Sequence, residues 1–349
     1  MKWYFLTHLG AEPALARELK RKGHESTQIP GACILEASVQ EVALLIYHIQ
    51  CATRVLLALD QGPLEALNAQ KALEHIPPEE TFRVSSEVLS HVSDLTAMEL
   101  SSLLGERIDR AVDLDNPNHV VFCQVGQMCL LGMDVTGDLS KRYYRVFSNS
   151  QSVKGTFAAS ILYAFELQGG VLDPFGNTGE IAIEAAFAAT RVSPLRYLKH
   201  APMKVIHDVQ AACFVDDQRE PSYPVWCFDP KLANLRTAKK NAKLAGVEKD
   251  ITFSKLDTEW MDVKFSEREV ANIVTIPPPV TKRNPDSTHI KELCYQAAFV
   301  LKGSLVVACL TEDTTQAVLT HAKHYKLSLK EESVIYTGNL PVHVMRYEL

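Results

Sequence analysis

An α/β chain whose second half forms a doubly wound, mostly parallel sheet is predicted by three observations. From residue 156 onward, short apolar runs alternate with helical patterns. The first run ends at Asp173 and passes through a glycine-containing loop straight into an amphipathic helix, in VLDPFGNTGEIAIEAA (171–186). Successive strands then close on Asp229, Asp257 and the turn Ile276-Pro277-Pro278-Pro279. In such a sheet the ligand lies beyond the carboxyl ends of the strands. A strand–loop–helix start is also where the charged end of a nucleotide-like molecule meets free backbone N–H groups.

The elements follow in order. KWYFLTHLG opens as a strand, and AEPALARELKRKG as a helix stopped at Gly23. Residues 33–36 and 54–59 read as short strands with the helix VQEVALLIYHIQ between them, giving a first domain over 1–62. TFRVSSEV (81–88) alternates as a strand does, LTAMELSSLLGERIDRAV has helical spacing, and HVVFCQVGQMCLLGMDV reads as two strands breaking near Gly126. These make a second domain over 63–147. The polar stretch SNSQSVKG marks a linker at 148–155, and residues 156–349 form the last domain. There TFAASILYAFEL is a helix, and the strands are 171–173, VWCF, DITFSK, ANIVTI and GSLVVACL. The helix LANLRTAKKNAKLAG follows the second of these, and SVIYTG with VHVMRYEL closes as a hairpin. KHAPMKVIHD, with His200 and His207, has no clear pattern.

Bulk composition narrows the function classes. The 349 residues are 46% apolar and 22% charged, as in ordinary globular domains. No apolar run approaches a membrane span, and the N-terminus lacks a signal-peptide core, so a cytoplasmic protein without a membrane partner is expected. Eight cysteines are scattered without a CxxC pair and read as buried thiols; no metal site is expected. Net charge is −6, and the excess lies wholly in residues 1–150, with 13 basic against 19 acidic side chains. Phosphate-binding proteins usually show the reverse, so any RNA footprint must be local.

Several motifs together resemble the THUMP-domain RNA methyltransferases, which act on the exocyclic amine of guanine in tRNA and, in bacterial relatives, on ribosomal RNA. The resemblance runs nearly end to end. It rests on CATRVLLAL, TFRV and VDLDNPNHVVFCQVGQMCLLGMDVTGDLSKRYYRVF in the first half. In the second half it rests on LDPFGNTGEIAIEAA, FDPKLANLRTAKKNAKLAGV, ITFSKLD and IVTIPPP. It implies a ferredoxin-like first domain, a THUMP RNA-binding second domain and a Rossmann-like domain for S-adenosylmethionine. Asp173, Phe175, Gly176, Asn177, Gly179, Asp229 and Asp257 would then hold the cofactor. Asp229 would take the ribose hydroxyls, and Asp257 would face the adenine amine. Lys141, Arg142, Tyr144 and Arg145 combine cations with rings, as phosphate contact and base stacking require, and tRNA or another structured RNA would be the partner.

The departures from the family pattern fall where chemistry is done. Asn177 and Glu180 stand where the family has small or neutral residues; Asn tolerates left-handed backbone, and Glu suits the helix dipole but competes with a ligand carboxylate for the same amides. The family's Asn/Asp-Pro-Pro-Tyr/Phe is here Ile276-Pro277-Pro278-Pro279, with no side-chain acceptor for the amine and no ring for the base. Losing one preorganised polar group costs about 3–4 kcal/mol in the transition state. Thr275 points to the opposite face by strand alternation, whereas Asn284 or Asp286 could supply an acceptor if their loop folds back. The expectation is therefore an RNA-binding pseudoenzyme or partner subunit. The alternatives are an active guanine-N2 methyltransferase with an unusual motif, and a protein-interaction module.

Overall fold

A computed structural model describes residues 1–89, 95–196 and 220–349. His200, His207 and Cys213 lie outside them. By contacts the described chain divides into two units, one built from residues 1–47 and 52–139, the other from 48–51, 140–196 and 220–349.

In the first unit, the strands assigned to residues 1–62 and 63–147 share a single eight-stranded sheet. Its members are β1 (Lys2–Leu6), β2 (Thr27–Ile29), β3 (Ala32–Glu36), β4 (Arg54–Gly62), β5 (Thr81–Val88), β6 (Ala111–Val112), β7 (His119–Val125) and β8 (Cys129–Asp134). They run in the order β2-β3-β1-β4-β8-β7-β5-β6. The join is the antiparallel pair β4–β8. Tyr4, Leu6, Ala32, Leu56, Phe122 and Leu130 form one apolar cluster across that join, so burial of alternate side chains locks the register. At its edge the Arg54 guanidinium lies 4.2 Å from the Phe122 ring centroid and pairs with Asp134. The helices are α1 (Glu12–Arg21), α2 (Val39–His48) and α3 (Ala97–Gly105). α3 is shorter than its pattern suggested. A capping box between Thr96 and Glu99 starts it, and residues 111–112 leave the helix to pair with β5.

The second unit holds β9 (Val171–Asp173), β10 (Val225–Asp229), β11 (Ile251–Lys255), β12 (Val270–Thr275), β13 (Leu301–Cys309), β14 (Ser328–Thr337) and β15 (Leu340–Glu348), in the order β11-β10-β9-β12-β13-β15-β14. The first five are parallel; β15 runs antiparallel to β13, and the β14–β15 hairpin closes the edge. After β9 the chain builds β10 and β11 on one side, then crosses to β12 on the other. A crevice must therefore open between β9 and β12 at their carboxyl ends. The helices are α4 (Gly155–Tyr163), α5 (Glu180–Thr190), α6 (Leu232–Ala245), α7 (Met261–Lys264), α8 (Thr288–Val300) and α9 (Glu312–His324). Leu172, Phe228, Ile273, Leu305 and Val307 form the inner layer of the core, with α8 contributing Ile290, Leu293 and Ala297. Among the described residues no helix is long and apolar enough to cross a membrane.

Candidate active site

A cavity of about 310 Å³ opens at this crossover, within the second unit. That volume is at the lower end of small-molecule pockets. On one side lie Asp173, Phe175, Gly176, Asn177, Asp229 and Asp257, and on the other Ile276, Pro277, Pro278, Pro279, Asn284, Asp286 and His289. Gly179 stands at the start of α5, where it is left-handed with φ +93°.

The loop after β9 is tight because its backbone passes close to β10. Gly176 N–H donates to Phe228 O at 2.8 Å, and a Cβ on Gly176 would sit 2.4 Å from Cys227 Sγ. Asn177 takes the left-handed conformation, φ 44°, as its residue type permits. Its carboxamide is paired with that of Asn149, at 2.6 and 3.4 Å, and Ser152 Oγ lies 2.7 Å from Thr178 Oγ1. The segment expected as a linker is thus fastened to the loop, and its Gln151 and Val153 line the cavity. Glu180 is buried; Thr178 Oγ1 is 2.6 Å from its carboxylate oxygens and Arg145 Nε is 3.6 Å away. Burial pushes its pKa up, against the pull of Thr178 and Arg145.

Asp229 organises the other wall. Its carboxylate accepts from Asn177 N–H (3.0 Å), Lys231 N–H (2.8 Å) and Asn234 Nδ2 (3.1 Å), tying the loop to the start of α6. Asp257 is exposed at the end of β11. Asp173 is enclosed, accepting from Thr275 Oγ1 at 2.6 Å and from Phe175 N–H at 3.2 Å. Burial pushes its pKa up to about 7, with the nearby carboxylates of Asp229 and Glu180 adding to the rise. The folded pKa lies above the unfolded one, so the folded state binds the extra proton between about pH 4 and pH 7. The contribution of Asp173 to stability therefore falls as pH rises through that window and levels off above it. Asp173→Asn is expected to remove this dependence and to gain about 2–4 kcal/mol at pH 8 relative to the native chain. Urea unfolding at pH 5 and pH 8 checks it; equal pH dependence in both proteins contradicts it.

The basic–aromatic cluster proves divided. Lys141 is exposed, but Arg142 and Tyr144 are in the interior and so cannot reach RNA in the folded chain. Arg142 donates to both oxygens of Glu184 (2.9 and 3.3 Å) and to Gln50 O (2.8 Å), and Tyr144 Oη donates to Glu184 at 2.9 Å. Arg145 is half-buried and turned toward Glu180 and Ser152 O. Local spacing showed the charges but could not show Glu184, whose position in a smooth apolar helix carries no signal of its own. Sequence reasoning also passed over Asn234 and His289. Among the described residues no group of three or more His, Cys, Asp or Glu is placed to hold a metal.

The family profile described as "RMKL-like, methyltransferase domain" (UPF0020) matches residues 142–333, and that of the RlmL ferredoxin-like domain matches residues 2–56. A tRNA (guanine(6)-N2)-methyltransferase of Methanocaldococcus jannaschii is 25% identical over 276 residues, 72% of this chain and 71% of that one. A ribosomal RNA large subunit methyltransferase K/L of Dichelobacter nodosus is 25% identical over 313 residues, 78% of this chain but only 42% of that longer protein. The crystal structure of TrmN from Thermus thermophilus superposes with a TM-score of 0.71, covering 100% of this chain and 99% of that one at 21% identity, a likeness of fold.

Proposed function

Because the chain belongs to the family of RMKL-like methyltransferase domains, we propose that it is an S-adenosylmethionine-dependent RNA methyltransferase acting on the exocyclic amine of a guanine in tRNA or ribosomal RNA. The observation that carries this reading is the cavity at the β9–β12 crossover. It joins a glycine cradle and two carboxylates on one wall to the proline turn on the other. The pieces suit the cofactor. A side chain at Gly176 would strike Cys227, so the loop carries no side chain there and its backbone lines the cavity directly. Asn177 and Glu180 spend their polar groups on Asn149, Thr178 and Arg145, which supports an open rather than a crowded cavity. Asp229 and Asp257 would take the ribose and adenine, and bound S-adenosylmethionine supplies an electrophilic methyl group. The chain's own residues then position the guanine, exclude water and receive the amine's proton. Residues 63–147 are proposed as a THUMP RNA-binding region, with Lys141 the member of the basic cluster free to meet phosphate.

A second reading, a non-catalytic RNA-binding subunit serving a protein partner, is favoured by one observation: Ile276 and Pro279 bring neither acceptor nor ring to the cavity. Labelled-methyl transfer to unmodified tRNA and rRNA transcripts separates the two. Transfer to a guanosine that disappears when that position is inosine is the expected result. Cofactor binding without transfer, acquired only on Ile276→Asn with Pro279→Tyr, would instead establish the second reading.

A further inference from the structure

We propose that His289 supplies the acceptor that Ile276 lacks, contacting the guanine amine through Nδ1; this rests on the methyl-transfer reading above. His289 lies in the first turn of α8 and lines the cavity beside Ile276 and Pro277. Its Nε2 is 2.9 Å from Pro278 O, in the proline turn itself. A carbonyl oxygen can only accept, so Nε2 carries a proton, and in the neutral tautomer that satisfies this contact Nδ1 is the acceptor. Nδ1 has no hydrogen-bond partner among the described residues. The ring also packs edge-on against Phe175, centroids 5.9 Å apart at 86°. Phe175 belongs to the cofactor loop and Pro278 to the base-side turn, so the imidazole is held by both walls of the cavity.

The other candidates are less available. Asp286 spends Oδ1 on Thr288 N–H (2.9 Å) and Thr288 Oγ1 (2.6 Å), starting α8, and its neighbour Asn284 is exposed on the loop. An acceptor already in place at the cavity and not spent on another donor is worth more, because no reorganisation is needed as charge develops. The step balances. The amine lone pair forms the bond to the methyl carbon, the carbon–sulfur bonding pair stays on sulfur, and the nitrogen, now positive, passes one proton to Nδ1. His289 is then an imidazolium with Nε2–H still on Pro278 O, and it returns its proton to solvent.

His289→Leu is expected to lower methyl transfer about 100- to 1,000-fold, with calorimetric S-adenosylmethionine affinity within about twofold. His289→Asn, which restores a side-chain acceptor, should recover at least about a tenth of the native rate. Independently of turnover, the Nδ1 resonance of His289 in the ¹⁵N-labelled native chain should move when guanosine monophosphate is added with S-adenosylhomocysteine. It should stay with inosine monophosphate, which lacks the amine. A native enzyme that His289→Leu leaves fully active overturns the assignment and leaves the methyl-transfer reading intact. No turnover, with Nδ1 still answering to guanosine, upholds His289 as the amine contact and removes the reaction. No turnover and no resonance change overturn both.

Discussion

Glu184→Ala is expected to destabilise the chain by about 3–5 kcal/mol, the cost of leaving a buried guanidinium without its counter-charge. Both Arg142 and Glu184 side chains are fully enclosed. Glu184 accepts from Arg142, Tyr144 Oη and Gln50 Nε2, while Tyr163 Oη donates to Gln50 Oε1. Burial and the adjacent Glu184 carboxylate raise the Tyr144 pKa well above normal, keeping it a neutral donor. Each polar atom is answered by another, so removing one member strands the rest. Arg142→Met with Glu184→Leu should cost less than Glu184→Ala alone, since no charge is left unpaired. Denaturant unfolding of the full chain measures both. A loss below about 1 kcal/mol for Glu184→Ala would mean that water reaches the guanidinium. For RNA binding the consequence is practical. Arg142→Ala weakens the fold before it weakens any phosphate contact, so Lys141→Ala is the informative variant.

Asp229→Ala should lower S-adenosylmethionine affinity at least 100-fold, about 3 kcal/mol. Two losses combine: the carboxylate offered to the ribose, and the hydrogen bonds by which it holds Asn177, Lys231 and Asn234 in place. Asp229→Asn keeps one acceptor oxygen and should lie between the two. Calorimetric titration, with thermal unfolding to verify that β10 and α6 still pack, decides the matter. Unchanged affinity in a folded Asp229→Ala protein would move the cofactor away from the β9–β12 crossover.

The strands and helices around the cavity were legible because each is written in local periodicity. Strand 171–173, the helix from 232 and the closing hairpin all stand where alternation or 3.6-residue spacing put them. The same local grammar placed Asp173, Asp229 and the proline turn at strand ends, and a parallel sheet then brings strand ends together. Order along the chain was therefore enough to locate the cavity. The tertiary structure alone decided three things. It joined β4 to β8, making one sheet of two sequence segments. It drew Arg142 and Tyr144 inward to Glu184, some 40 residues away. It also set His289 against Pro278 and Phe175. A cation beside a ring looks the same in sequence whether it meets solvent or a buried carboxylate. Which it meets depends on a partner far along the chain, and desolvation there outweighs any local preference.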